Sequence, residues 1–201
     1  MENLSNILDY KILLASKSPR RLELIKQMGF EVETFPIDVD EDYPLYLDYR
    51  IIPEYLAEKK AKGFNYSLLN DNEILLTADT MVFIDGHSIS KPENRNQAID
   101  FLTSLSENKH LVITGVCLKT NKKEISFSAS TTVYFKKLEL WEKEYYVDNY
   151  KPYDKAGGYA IQQWIGCIGI EKIEGSYYNV VGLPTFEVFN HIKKIIVNYE
   201  W

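Results

Sequence analysis

Apolar residues near the start of the chain change from a continuous run to helical spacing. Residues 13–15 form a short apolar run, which breaks at small polar residues before apolar positions return at intervals of three and four. Ser18 occupies the position of a helix N-cap, and Pro19 occupies that of the first helical residue. The pattern therefore predicts a strand, a tight loop and a helix that begins at Pro19.

The remaining chain alternates between apolar runs of strand length and segments rich in helix-forming residues. Helices are predicted over residues 53–62, 95–105, 141–150 and 184–196. Strands are predicted over residues 30–35, 74–86, 111–118, 125–135 and 168–173, with a turn over 174–179. The strands over 111–118 and 125–135 are expected to pair as a hairpin across the polar turn at Asn121 and Lys122.

One carboxylate, Asp79, lies in the middle of the apolar strand predicted over 74–86. Burying a charged group costs several kcal/mol unless the group is paired or binds a metal. Either Asp79 faces solvent, or the strand ends near Thr77, or the carboxylate has a function. Of these, the functional interpretation makes Asp79 the best catalytic candidate in the sequence.

The loop before the first long helix combines several features that attract anions. Hydroxyls of Ser16 and Ser18, the side chains of Arg20 and Arg21, and the free N–H groups of a helix N-terminus are all expected there. Together they suit a polyphosphate. The alternative is a capped surface helix that carries two solvated arginines.

Two other polar segments allow both a functional and an ordinary interpretation. Residues 38–42 hold four carboxylates and are either a solvated turn or a site for a hard cation such as Mg²⁺. Residues 153–163 form a glycine-containing loop with a lysine, Lys155, and an amide, Gln162, that can pair with the edge of a base. Lys91 stands directly before a proline.

Composition and charge limit the classes of function. The chain has 201 residues, of which 45% are hydrophobic and 26% charged, which is typical of a globular protein of one domain or two small lobes. Its net charge of −6 argues against general binding to nucleic acid or to an anionic membrane. Any phosphate site must therefore be local.

The sequence also indicates a cytoplasmic protein. Residues 1–10 lack the basic and apolar regions of a signal peptide, and no apolar run reaches the length that spans a membrane. Cys117 and Cys167 have neither CxxC spacing nor nearby histidines. We therefore expect free, buried thiols in a reducing compartment.

An ordered set of motifs resembles the Maf family of nucleoside triphosphate pyrophosphatases over nearly the whole chain. The matching segments are residues 14–21, 40–41, 56–61, 78–80, 90–92, 114–116, 154–162 and 178–184. Each motif is weak by itself. Their common order along the chain makes the resemblance specific.

The resemblance implies a fold and an assembly. It implies an α/β fold with a long mixed β-sheet, flanking helices and two lobes around a deep cleft, related in architecture to the inosine triphosphate pyrophosphatases. Residues 1–201 are then expected to form one Maf-like domain. A homodimer is expected on the resemblance alone.

The resemblance also implies an activity. It implies a hydrolase that acts on an acid anhydride and splits a nucleoside triphosphate between the α- and β-phosphates, with Mg²⁺ or Mn²⁺ as the cation. The loop over 154–162 resembles that of the branch acting on dTTP and UTP. The alternatives are a pyrophosphatase for modified purine nucleotides such as 7-methyl-GTP and a nucleotide-binding regulator of septum formation.

Particular residues inherit roles from the matching motifs. Asp79 would accept a proton or anchor the metal, and Glu41 would help to hold the metal. The expected substrate-binding residues are Ser16, Arg20, Arg21, Lys60, Thr80, Lys91 and Gln162. Lys155 is a lower-ranked candidate for a phosphate or structural contact.

The chain departs from the family pattern at a few positions. Residues 106–108 stand where the family often has a Ser-Gly turn. Ala160 and Gln163 occupy positions that are often glycine, so the loop between them is expected to be stiffer or shaped differently. These departures concern substrate preference and leave the proposed catalytic residues intact.

Overall fold

The computed structural model describes residues 5–196, and these residues form an α/β fold. The helices are α1 (Ser5–Leu8), α2 (Pro19–Gln27), α3 (Ile52–Lys62), α4 (Arg95–Leu105), α5 (Leu140–Tyr150), α6 (Trp164–Gly169), α7 (Tyr177–Val181) and α8 (Thr185–Ile196). The strands are β1 (Lys11–Leu14), β2 (Glu31–Thr34), β3 (Glu73–Ile84), β4 (His87–Ile89), β5 (Lys109–Lys119), β6 (Glu124–Phe135) and β7 (Ile170–Glu174). Short 3₁₀ turns lie at Tyr66–Leu68 and Ala156–Gly158.

Within the described residues the strands build a seven-stranded mixed sheet in the order β2-β1-β3-β5-β6-β7, with β4 paired to β3. Strand β1 runs parallel to both β2 and β3. Antiparallel pairs join β3 to β4 and β6 to β7, and the β6–β7 pair shifts register between Tyr134 and Phe135. The prediction of an α/β fold with a long mixed sheet and flanking helices is confirmed.

Contacts divide the chain into two compact units. Of the described residues, the first unit takes those up to 79, 114–129 and those from 182 onward, and the second unit takes 80–113 and 130–181. Buried residues of one core in the first unit are Ala15, Ala57, Ala61, Phe64, Leu69, Leu75 and Cys117. The core of the second unit gathers residues of α4, α5 and β6, among them Leu102, Val133 and Tyr146. The assignment of residues 1–201 to one domain stays a prediction.

Most elements lie where the pattern placed them. Helix α2 begins at Pro19, and Ser18 is its N-cap with extended backbone. Strand β3 ends at an Asp-Gly turn in which Asp85 and Gly86 both have positive φ, 49° and 80°, as a tight hairpin to β4 requires. The turn at Asn121 and Lys122 joins β5 to β6, where Thr120 N donates to Lys123 O at 2.9 Å.

The segment around residue 168 departs from its prediction. The expected strand over 168–173 begins only at Ile170, because the two preceding residues complete helix α6. Residues 177–179, expected within a turn, open helix α7. The isoleucines at 165, 168, 170 and 173 fit both helical and strand spacing, so periodicity alone does not locate the boundary.

The cysteines and the helices test two other expectations. Both cysteines are free, as predicted; Cys117 is buried, but Cys167 is exposed, so its predicted burial is wrong. Residue 167 lies on the exposed side of α6, a helix of six residues. The sequence pattern predicts a loop before this region and a strand after it, but no helix. Among the described helices, none has the length and apolar character needed to cross a membrane.

Candidate active site

The loop between β1 and α2 is closed by its own serines. Ser16 Oγ accepts hydrogen bonds from Ser18 N and from Arg21 Nη1, both at 3.2 Å. Ser18 Oγ accepts from Arg21 N at 3.5 Å, which is a long capping contact. The local sequence thus folds as the N-cap and Pro19 signals predict, and it places two arginines at the first turn of α2.

Arg21 connects this loop to the strand that carries Asp79. Its Nη1 donates to Ala78 O at 2.9 Å, and its Nε donates to Gly182 O at 2.9 Å. Burial lowers the pKa of the Arg21 guanidinium, and the nearby Asp79 carboxylate opposes this shift. Because Ala78 directly precedes Asp79, Arg21 fixes the backbone at the catalytic candidate.

Asp79 is paired with a lysine from α3. Lys60 Nζ lies 2.6 Å from Asp79 Oδ1 and 2.9 Å from Glu41 Oε1. The Lys60 and Asp79 side chains are only 13% and 14% exposed, whereas that of Glu41 is 62% exposed. Strand β3 continues five residues beyond Asp79 to Ile84, so the alternative that the strand ends near Thr77 is wrong. Pairing with Lys60 explains how a carboxylate is accommodated there.

Helix α3 is held against the sheet by a close backbone contact. A Cβ at Gly115 would lie 2.2 Å from Glu54 N, so only glycine lets the start of α3 lie directly on β5. Thr77 Oγ1 also donates to Ala57 O at 2.6 Å. These contacts fix the helix that carries Lys60, and the sequence pattern gave no sign of them.

The acidic segment over 38–42 is attached to the same helix. Lys59 Nζ donates to Asp42 O at 2.8 Å, next to the ion pair of Lys60 with Glu41. Asp38 lies 3.6 Å from Lys17 in an exposed ion pair. Within residues 5–196, no three His, Cys, Asp or Glu side chains gather as a metal site. The role of Glu41 and Asp79 as metal ligands stays a prediction.

The other predicted substrate residues, Thr80, Lys91 and Gln162, belong to the second unit. There the structure brings two motifs together, because Gly157 N donates to Ser90 O at 3.0 Å. Lys91 and Gln162 are exposed, whereas Lys155 is buried, with its Nζ 2.5 Å from Asp154 Oδ1. The roles given to these residues stay predictions.

Sequence reasoning did not find a buried polar pair behind the glycine-containing loop. His110 Nε2 and Tyr159 Oη are 2.6 Å apart, and both residues are buried. Burial lowers the pKa of His110 to about 3 and raises that of Tyr159. His110 is therefore neutral at physiological pH. His110 directly precedes the continuous apolar run of β5, and this run could have indicated that His110 is buried.

The solved structure of the Staphylococcus aureus Ham1 protein is a weak match to this chain. It has a TM-score of 0.46 at 13% identity, and it covers 62% of this chain and 71% of that one. The α/β assignment rests on the sheet itself.

Curated relatives match over nearly their full length. A protein of Bacteroides thetaiotaomicron named dTTP/UTP pyrophosphatase is 47% identical over 194 residues, which are 96% of this chain and 100% of the relative. Proteins of the same name from Parabacteroides distasonis and Porphyromonas gingivalis are 47% and 45% identical and cover 94% of this chain and 98% and 96% of their own lengths. Residues 11–195 of this chain match a family model whose description is "Maf-like protein". The chain belongs to the Maf family.

Proposed function

We propose that this protein is a nucleoside triphosphate pyrophosphatase that hydrolyses dTTP and UTP to the nucleoside monophosphate and pyrophosphate. One observation carries the proposal. Arg21, in the anion-attracting loop, donates to the carbonyl of Ala78, and the next residue is the carboxylate paired with Lys60. Three curated relatives that match this chain at 45–47% identity carry the name dTTP/UTP pyrophosphatase.

The chemistry requires a proton acceptor on one side of the α-phosphorus and positive charge around its oxygens. In this proposal Asp79 takes the proton of an attacking water. The new P–O bond forms as the bond from the α-phosphorus to the bridging oxygen breaks, and that oxygen leaves with the pyrophosphate. Arg20, Arg21 and Lys60 neutralise the phosphate charge, and Ser16 completes the loop.

The first unit offers a suitable place for a divalent cation. Glu41 and Asp79 direct oxygens at the same Lys60 Nζ, so both carboxylates reach one small region. Mg²⁺ is usually held by one or two carboxylates, with water and substrate phosphates completing its shell. The two carboxylates therefore fit Mg²⁺ or Mn²⁺, and a bound cation would neutralise charge that develops on the phosphates.

The remaining parts of the proposal rest on the resemblance. Thr80, Lys91 and Gln162 are proposed to contact the nucleotide, with Gln162 pairing to the edge of a pyrimidine. A homodimer is proposed, and sedimentation as a monomer at micromolar concentration would contradict it. A cytoplasmic location is proposed because both cysteines are free thiols.

The test is pyrophosphate release, with Mg²⁺ or Mn²⁺, from dTTP, UTP, CTP, 7-methyl-GTP and ITP. We expect release from dTTP and UTP above the others. Preference for 7-methyl-GTP or ITP would assign the same reaction to modified purines. Binding without release from any nucleotide would support the regulator instead.

A pair of matched substitutions tests the catalytic residue. Asp79→Asn keeps the size of the side chain but removes the proton acceptor, so we expect turnover to fall at least about 10³-fold while nucleotide binding persists. Asp85→Asn is the control, because residue 85 lies in the exposed turn after β3 and has a positive φ that asparagine tolerates. Turnover that survives Asp79→Asn would exclude Asp79 as the base.

A further inference from the structure

The backbone around Gln162 is attached on both sides to one phenol. Ala160 N donates to Tyr146 Oη at 3.1 Å. The same hydroxyl donates to Gln163 Oε1, with the two oxygens 2.5 Å apart. Ala160 and Gln163 are therefore held by the same hydroxyl group. The two residues between them, Ile161 and Gln162, are called the arc here.

Tyr146 is a rigid anchor. Its side chain is fully buried in the core of the second unit, and its ring stacks on Tyr150 of the same helix with centroids 5.1 Å apart. The hydroxyl donates one hydrogen bond and accepts one, so it satisfies two polar groups of the loop with one buried atom.

Helix α6 holds the arc from the other direction. Gly166 N donates to Gln163 O at 2.9 Å, and Gln163 N donates to Ala160 O at 3.1 Å. A Cβ at Gly166 would lie 1.8 Å from Ile161 O, so the first turn of α6 passes directly against the backbone of the arc. The side chain of Gln162 is exposed at the end of this restrained segment.

We propose that Tyr146 and Gln163 are positioning residues that fix Gln162 for recognition of the pyrimidine base. The proposal rests on the proposed function, because it assumes that Gln162 reads the base. The contact from Tyr146 Oη to Gln163 Oε1 is observed in the folded chain and does not depend on the resemblance.

The experiment compares dTTP with dCTP, which share a sugar and differ in the base. In Tyr146→Phe the ring remains and the hydroxyl is lost. We expect the ratio of kcat/KM for dTTP to that for dCTP to fall about tenfold, mainly through a higher KM for dTTP, with kcat for dTTP changed less than about twofold. Tyr150→Phe removes the same group from the neighbouring ring and should leave the ratio unchanged.

Substitutions at residue 163 test the other half of the contact. Gln163→Met loses the acceptor and should lower the ratio as Tyr146→Phe does, whereas Gln163→Glu keeps an acceptor and should retain it. The negative charge added by Gln163→Glu is expected to raise KM for dTTP and for dCTP by the same factor. The ratio of their kcat/KM values would then not change. The variant with both Tyr146→Phe and Gln163→Met should lose no more selectivity than either single variant.

The outcomes separate this inference from the proposed function. If the wild-type protein prefers dTTP and Tyr146→Phe keeps that preference, the positioning role is wrong while the proposed function stands. A wild-type protein that cleaves dTTP and dCTP equally well also overturns the positioning role. If the wild-type protein releases pyrophosphate from neither nucleotide, the proposed function fails and the inference fails with it.

Discussion

The two units of the chain hold their candidate site residues by different kinds of contact. In the first unit the contacts are charged, with Lys60 between two carboxylates and Arg21 donating to backbone carbonyls. In the second unit the backbone on both sides of Gln162 is held by neutral phenols, those of Tyr146 and Tyr159, while an ion pair of Lys155 with Asp154 lies earlier in the same loop. Charged groups suit a part that binds phosphates, while neutral hydrogen bonds position a backbone without adding charge beside it.

Among the substitutions that test this comparison, the largest effect is expected from removing the cation that the two carboxylates of the first unit share. Lys60→Met leaves Asp79 and Glu41 without their common partner and removes the proposed phosphate contact. We expect kcat/KM to fall about 10²- to 10³-fold, the usual loss when one donor to a transition state is deleted. Pyrophosphate release measures it.

A matched lysine on the same helix is the control for Lys60. Lys62→Met changes a side chain that is 68% exposed and pairs only loosely with Glu58, so activity should be unchanged. Equal losses in both variants would mean that a general change of charge on α3, and not the contact with Asp79, limits the reaction.

A smaller effect is expected where a charged group has a structural contact. Arg21→Lys keeps the positive charge but cannot donate to Ala78 O, Gly182 O and Ser16 Oγ together. We expect the free energy of unfolding to fall by about 1–3 kcal/mol, since buried acceptors lose their donors. Urea denaturation measures it, with Lys26→Gln on the exposed face of α2 as the control. Unchanged stability would contradict this structural role of Arg21.

The smallest effect tests whether the stability of the second unit depends on a neutral His110. Burial lowers the pKa of His110 to about 3 from an ordinary 6.5, so the unfolded chain binds the proton first as the pH falls. Stability contributed by neutral His110 is present above pH 6.5 and is lost below it, by about 1 kcal/mol between pH 6.5 and pH 5.5.

A substitution isolates the contribution of His110 from that of other titrating groups. His110→Gln retains a hydrogen-bonding side chain for Tyr159 without a titrating group, so urea denaturation should show a shallower loss of stability over the same pH range. His87→Gln is the control, because it removes an exposed histidine. Identical pH profiles for all three proteins would contradict a neutral, buried His110.

Short sequence signals predicted the elements that depend mainly on neighbouring residues. Ser18 and Pro19 gave the start of α2, and the apolar run around Asp79 gave β3. The boundary between α6 and β7 failed because its isoleucines fit either period. There, packing rather than periodicity decides the structure.

Contacts between distant segments could not be predicted from spacing. Lys60 and Asp79 are 19 residues apart, and Arg21 and Gly182 are 161 apart, so no local pattern relates them. Arg21 and Asp79 are candidates from the sequence itself, and the family resemblance adds Lys60. That Lys60 lies between two carboxylates, and that Arg21 supports the backbone before Asp79, follows only from the folded chain.

Gly115 has a consequence for how sequence variation in this protein is interpreted. The residue has no functional group, yet α3 lies on β5 only because nothing projects from it. An added methyl group would displace the helix and the ammonium group it carries, so a genetic screen for lost activity would recover position 115 together with the charged residues. Position 115 would then be required for catalysis because it has no side chain, and not because it carries a reactive atom.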